Sequence, residues 1–214
     1  MIRIGEYTDI YIEQYVKRIL TENGGQNSCV PFQSFRKRSE HCRRVMRWCL
    51  EIIEKESIAS INKDELLFSA MFHDIGYNSK KIPHEEYGVK LFGDFMESHF
   101  IEPELAERIK YNIANHSRKR EKIPDDISKE LIILMEADML DEEGVMGVVA
   151  DCLSEGMKGD LCNGYKGAYE RICQYASDIL DISPMITPYA IICWEKKQDD
   201  VRHIIESLEK ELFI

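Results

Sequence analysis

Met71-Phe72-His73-Asp74-Ile75-Gly76-Tyr77 closes an apolar run that begins at Leu66 and Leu67. Leu66, Ala70 and His73 are spaced i, i+4, i+7, so His73 falls on the inward stripe of a helix. Asp74 follows at once, and Gly76 is placed to stop the helix. An ionised aspartate in such a position costs several kcal/mol unless its charge is compensated. A divalent cation is the simplest compensation, because imidazole nitrogen and carboxylate oxygen are common ligands of such ions. A plain His–Asp hydrogen bond at a helix end is the other reading, and the dipeptide alone does not separate the two.

Working outward, the same pattern recurs. His41 lines up with Val45, Trp48 and Ile52; His84 with Gly88, Leu91 and Phe95; His116 with Ile109 and Ile113; Asp138 with Leu131, Leu134 and Met135. Five helices therefore each carry a metal-type side chain along the face expected to look inward, and helical bundles build metal sites from facing helices in this way. His99 reads as a helix-end residue and His203 as a surface or packing residue.

Helical periodicity dominates the chain, and strand alternation is absent. Helices are expected over about 8–21, 33–56, 62–76, 83–97, 102–116, 126–140, 145–155, 164–180 and 189–212, with a Pro124-containing loop over 117–126. The fold expected is all-α, a single domain over 1–214 whose core spans 34–150, with 151–214 as a helical extension packed on it. The net charge of −11 argues against a nucleic-acid polymer or a membrane surface as partner. No apolar run approaches the roughly 20 residues of a membrane span. The seven cysteines form no C-x-x-C pair, and Arg3 and Glu6 stand where a secretory leader would be apolar. Reduced thiols in a cytoplasmic protein are the expectation.

In order along the chain, these motifs resemble those of the HD superfamily of metal-dependent phosphohydrolases. Arg38-Ser39-Glu40-His41-Cys42-Arg43-Arg44-Val45 is similar to its first motif, Phe72-His73-Asp74-Ile75-Gly76 to its signature, and Ala137-Asp138-Met139-Leu140-Asp141 to its last, in which the first Asp is the ligand. His84-Glu85-Glu86-Tyr87-Gly88 and Asn115-His116-Ser117 resemble the two extra histidine motifs of the binuclear branch, which includes HD-GYP phosphodiesterases and symmetrical dinucleoside-tetraphosphate hydrolases. The resemblance covers about 34–150. It implies that His41, His73, Asp74 and Asp138 hold one divalent ion (Fe, Mn, Co, Ni or Zn, with Mg a further candidate). It also implies that Asp74 bridges to a second ion bound by His84 and His116, and that a metal-activated water attacks phosphorus, with Asp74 as the catalytic carboxylate. Three departures narrow the substrate. Tyr77 stands where HD-GYP proteins have Lys; Asn115-His116 replaces their double histidine, and G-Y-P is absent; the E-D pair of alarmone hydrolases is missing after Asp74. Neither a cyclic dinucleotide nor an alarmone is expected.

Twelve of the 28 Lys and Arg residues flank these motifs. Arg38 and Arg44 belong to the resembling motif and are the first candidates for substrate phosphate, followed by Lys81 and Arg118, whereas Arg36, Lys37 and Lys122 read as solvated. The function expected is hydrolysis of a small phosphate ester or nucleotide. A di-iron oxygenase of the same superfamily is the alternative, and a non-catalytic regulatory domain would be expected to have lost ligands. Removing Asp74 should leave the metal-free chain about as stable as before, because a buried charge is lost with it. An oligomer is compatible with the sequence.

Overall fold

Asn62 opens the helix that everything else packs around. Its side chain accepts from Glu65 N (3.1 Å) and caps α3, Lys63–Phe72. Asn62 and Glu65 have the spacing of a capping box, in which Glu65 would reach back to the Asn62 N–H, but only the Asn62 half is made. The Glu65 carboxylate is buried instead and accepts from Arg108 Nε (2.7 Å) and Asn112 Nδ2 (3.1 Å), which ties α3 to a later helix. Every residue from Glu65 to Gly76 is buried, so the signature sits at the centre of the core.

The computed structural model describes residues 9–27, 36–58, 60–78, 80, 82–99, 101–118, 127–157, 164–180 and 183–213. The remaining helices are α1 Asp9–Glu22, α2 Arg38–Glu56, α4 His84–His99, α5 Pro103–Asn115, α6 Lys129–Glu142, α7 Val145–Met157, α8 Gly164–Leu180 and α9 Pro188–Leu212. A 3-10 turn at His116–Arg118 follows α5. The fold is all-α. Among the described residues the one extended pairing is an isolated bridge between Gly24 and Asn78, and no helix is long and apolar enough to cross a membrane.

α2, α3, α5 and α6 pack on one another around Leu66, Phe72, Ile109, Leu134 and Leu140. α8 packs on α7 and α9, and α9 lies against α2 and α6, where Trp194 and Val201 are buried. Buried Glu136 of α6 caps α9 by accepting from Ile186 N, Thr187 N and the Thr187 hydroxyl.

Two boundaries differ from expectation for local reasons. Arg36 and Lys37 lie outside α2: Lys37 is extended, and Arg38 N donates to Gln26 O (3.0 Å), which fixes the helix start one turn before His41. α6 starts at Lys129 because Ser128 caps it, accepting from Leu131 N, and it runs on to Glu142, which carries Asp141 on the same face as Asp138. Gly76 acts differently from a helix stop. A Cβ there would lie 1.9 Å from the His84 carbonyl oxygen, so glycine is needed for the start of α4 to approach the signature.

Candidate metal centre

His73 caps α3 and Asp74 begins the turn after it, so both side chains leave the same buried end. His41 comes from the first turn of α2, Asp138 from α6, His84 from the first residue of α4, and His116 from the turn closing α5. All six converge. His41 Nε2 is 3.1 Å from Asp138 Oδ1, 3.2 Å from His73 Nε2 and 3.5 Å from Asp74 Oδ2. On the other side of the same carboxylate, Asp74 Oδ1 is 3.4 Å from His116 Nε2, 3.6 Å from His73 Nε2 and 3.7 Å from His84 Nε2; the His84 and His116 Nε2 atoms are 3.3 Å apart. Asp74 thus stands between two groups of donors with one oxygen toward each.

The donor set fits a divalent cation. Around an ion bound at about 2.1 Å, neighbouring donors lie about 3.0 Å apart in an octahedron and about 3.4 Å in a tetrahedron; the spacings found here run from 3.1 to 3.9 Å, equal to or somewhat wider than these. The imidazoles are also oriented for it. His73 Nδ1 donates to Ala70 O and His116 Nδ1 to Ile113 O, both at 2.8 Å. A carbonyl can only accept, so each Nδ1 carries its proton and Nε2 faces inward. His41 Nδ1 donates to Asp141 Oδ2 (2.7 Å), and His84 Nδ1 lies 3.1 Å from Glu85 Oε2. An outward N–H held by a carboxylate or carbonyl is the support that metal-binding imidazoles have.

The electrostatics show how strongly this core attracts positive charge. Burial alone would lower the His41 pKa, but hydrogen bonds to Asp138 and Asp141 raise it to about 10. Burial lowers His73 to about 4 against the pull of Asp74 and Asp138, so its Nε2 carries no proton at neutral pH. Burial would raise Asp74, yet nearby His73, Arg38 and His116 hold it well below the usual carboxylate range. Protons and metal ions compete for such positions.

The phosphate-binding candidates fare differently. Arg38 is buried, its Nη1 2.8 Å from Asp74 Oδ2 and its guanidinium 4.0 Å over the Tyr77 ring, which in turn stacks on His84 (4.3 Å). Arg44 grips Asp141 through two bonds of 2.7 and 2.9 Å. Arg38 therefore holds Asp74 directly, and Arg44 holds His41 through Asp141. Arg118 is exposed just after His116, and Lys81 lies outside the described residues. His99 is at the end of α4, stacked on Phe95, and His203 is exposed on α9. The Arg38 pair also alters the expectation for Asp74. Removing that carboxylate strands a buried guanidinium, a cost of about 3–5 kcal/mol to the metal-free chain instead of none.

Sequence reasoning missed Asp141 as the residue that orients His41. Its signal was present, since Asp138 and Asp141 are three apart on one helix and share a face. Tyr77 was treated only as a departure, and no spacing rule foretells that it would lie between Arg38 and His84.

Residues 38–143 match the HD domain model. The chain belongs to the HD superfamily. The HD match contains all six converging residues and stops one residue after Glu142. None of the curated proteins matches the sequence. Among solved structures, the chain is similar to Bacillus subtilis YpgQ in complex with ADP: 22% identity, 94% of this chain and 93% of that one covered, TM-score 0.65. It is also similar to an HD-superfamily hydrolase from Bacillus thuringiensis, with 22% identity, 94% of each chain covered and a TM-score of 0.66. The Lin1889 protein of Listeria innocua shares 20% identity over 97% of this chain and 98% of its own, with a TM-score of 0.60. At these identities the likeness speaks for the fold, and it extends beyond the HD match through α8 and α9.

Proposed function

We propose that the chain is a metal-dependent hydrolase of a small phosphate ester or nucleotide. His41, His73, Asp74 and Asp138 would hold one divalent ion, and Asp74, His84 and His116 a second. The observation that carries the reading is the support given to all four imidazoles, each with Nδ1 against an oxygen and Nε2 turned toward the shared Asp74 carboxylate. When bound, such ions lower the pKa of coordinated water toward about 7 and polarise phosphoryl oxygens. The chain's own part is placement. Asp74 presents one oxygen to each group, Asp141 and the two backbone carbonyls fix the rings, and Arg38 donates to Asp74 Oδ2 and holds that carboxylate in place. Buried thiols supply no competing nucleophile, because burial pushes Cys42 and Cys49 up. The ADP complex of YpgQ supports a nucleotide among the candidate substrates. No observation favours the oxygenase alternative.

The test is a hydrolysis screen of nucleotides and phosphate monoesters with Mn²⁺-, Fe²⁺- and Mg²⁺-loaded protein. Phosphate or nucleotide release that stops with a chelator and returns with metal is expected. Dioxygen-dependent turnover of the iron form, with no hydrolysis under any metal, would overturn it.

A further inference from the structure

Arg36, His41 and Asp141 line one cavity of about 220 Å³ beside the metal centre. Its two walls differ. One is charged with a small excess of cations: Arg36, Lys37, Arg38 and Arg44, before and within the first turns of α2, stand among Glu40, Asp141 and Glu142. The other is apolar, formed by Met146, Val149 and Leu153 of α7. These three are spaced i, i+3, i+7 on one helix face, and each is about half exposed (53%, 48% and 47%). α7 has an opposite face to bury: Gly147 and Val148 are inside, and a Cβ on Gly147 would lie 1.9 Å from the Tyr175 hydroxyl. Three large apolar side chains left facing a cleft, opposite cations, describe a ligand with an apolar body and an anionic end.

The charged wall shows which residue is available to that anion. Arg38 and Arg44 are tied to buried carboxylates at 2.7–2.9 Å. Arg36 makes a single 3.4 Å contact with Glu142, and both side chains are about 30% exposed (30% and 28%). A pair of that kind contributes little and exchanges readily. Arg38 adds a second pointer: its buried Nε has no hydrogen-bond partner among the described residues, a costly state that an anionic oxygen would relieve.

We propose that this cleft takes the organic body of a phosphate ester with an apolar, ring-sized face, and that Arg36 exchanges Glu142 for the charge of its phosphate. The inference rests on the phosphoester reading above and narrows it, favouring aromatic or alkyl phosphates over polyhydroxylated sugar phosphates. The cavity lies below the roughly 300–1,000 Å³ of drug-sized ligand sites, which limits the body to about one ring system.

Titration calorimetry of the Mn²⁺-loaded chain with phenylphosphonate and with methylphosphonate tests it without turnover. Phenylphosphonate is expected to bind at least about tenfold more tightly. In M146Q/L153Q, whose changes are at half-exposed positions, that ratio should fall to about one, and R36M should weaken both ligands together. A ratio near one in the unmodified chain overturns the proposal and requires no variant to fold. So does a ratio that survives M146Q/L153Q in a folded variant, or the absence of binding by either phosphonate. R36M with unchanged affinities would remove Arg36 from it. The two readings fail separately. Preference for the phenyl ligand with no ester hydrolysed defeats the phosphoester reading alone, and hydrolysis with no such preference defeats the cleft alone.

Discussion

The two sides of the Asp74 carboxylate are not built alike. In the group of His41, His73 and Asp138, which meets Asp74 Oδ2 through His41, all three are buried, and His41 is fixed by Asp141, itself gripped twice by Arg44. On the Oδ1 side, His116 is buried, but the His84 side chain is 20% exposed. Its nearest carboxylate, Glu85, is partly exposed and also accepts from the Ser117 hydroxyl at 2.6 Å. The first group is preorganised and dry, while the second depends on the first residue of a helix and a wet carboxylate. Preorganised ligands lose less on binding, so one tightly held ion and one more labile ion are expected.

The variants that break or sharpen this difference rank by their effect on the tighter ion. His73→Ala removes a wholly buried ligand and should weaken that ion by more than about 100-fold, beyond the usual cost of losing a supporting partner, as read by competition with a chelating dye. Asp141→Asn keeps the shape but not the charge that orients His41, and should cost about 10–100-fold. His84→Ala should abolish the second ion, seen as loss of one metal per chain by elemental analysis, and change the first by less than about threefold. Glu85→Gln should have the smallest effect, within about 1 kcal/mol on the second ion alone, because its carboxylate is partly solvated. Equal losses from Asp141→Asn and Glu85→Gln would erase the asymmetry.

Much of this architecture could be read from spacing. His41, His84, His116 and Asp138 each share a stripe with core residues, and buried stripes must face one another, so their convergence followed from helical periodicity. What spacing cannot carry is partner choice. Arg44 and Arg38 were expected to wait for phosphate, but a buried carboxylate lies within reach of each, and an arginine near such a charge pairs with it. Gly76 was legible as a special residue but not for the right reason, since the crowding comes from His84, eight residues on. The cleft between α2 and α7 was not legible at all. Arg36 precedes a helix boundary set by the Gln26 carbonyl, and the α7 apolar stripe looks in sequence like any other core face.

The account stands on Asp74 being shared by two ions. Its most direct test is equilibrium Mn²⁺ titration of the unmodified chain and of Asp74→Asn, followed by electron paramagnetic resonance, with circular dichroism confirming that both are folded. Two ions of unequal affinity are expected in the first, with the spectrum of a coupled pair at saturation, and at most one weakly held, uncoupled ion in the second. No bound ion in the unmodified chain, or two held as tightly by Asp74→Asn, would contradict it.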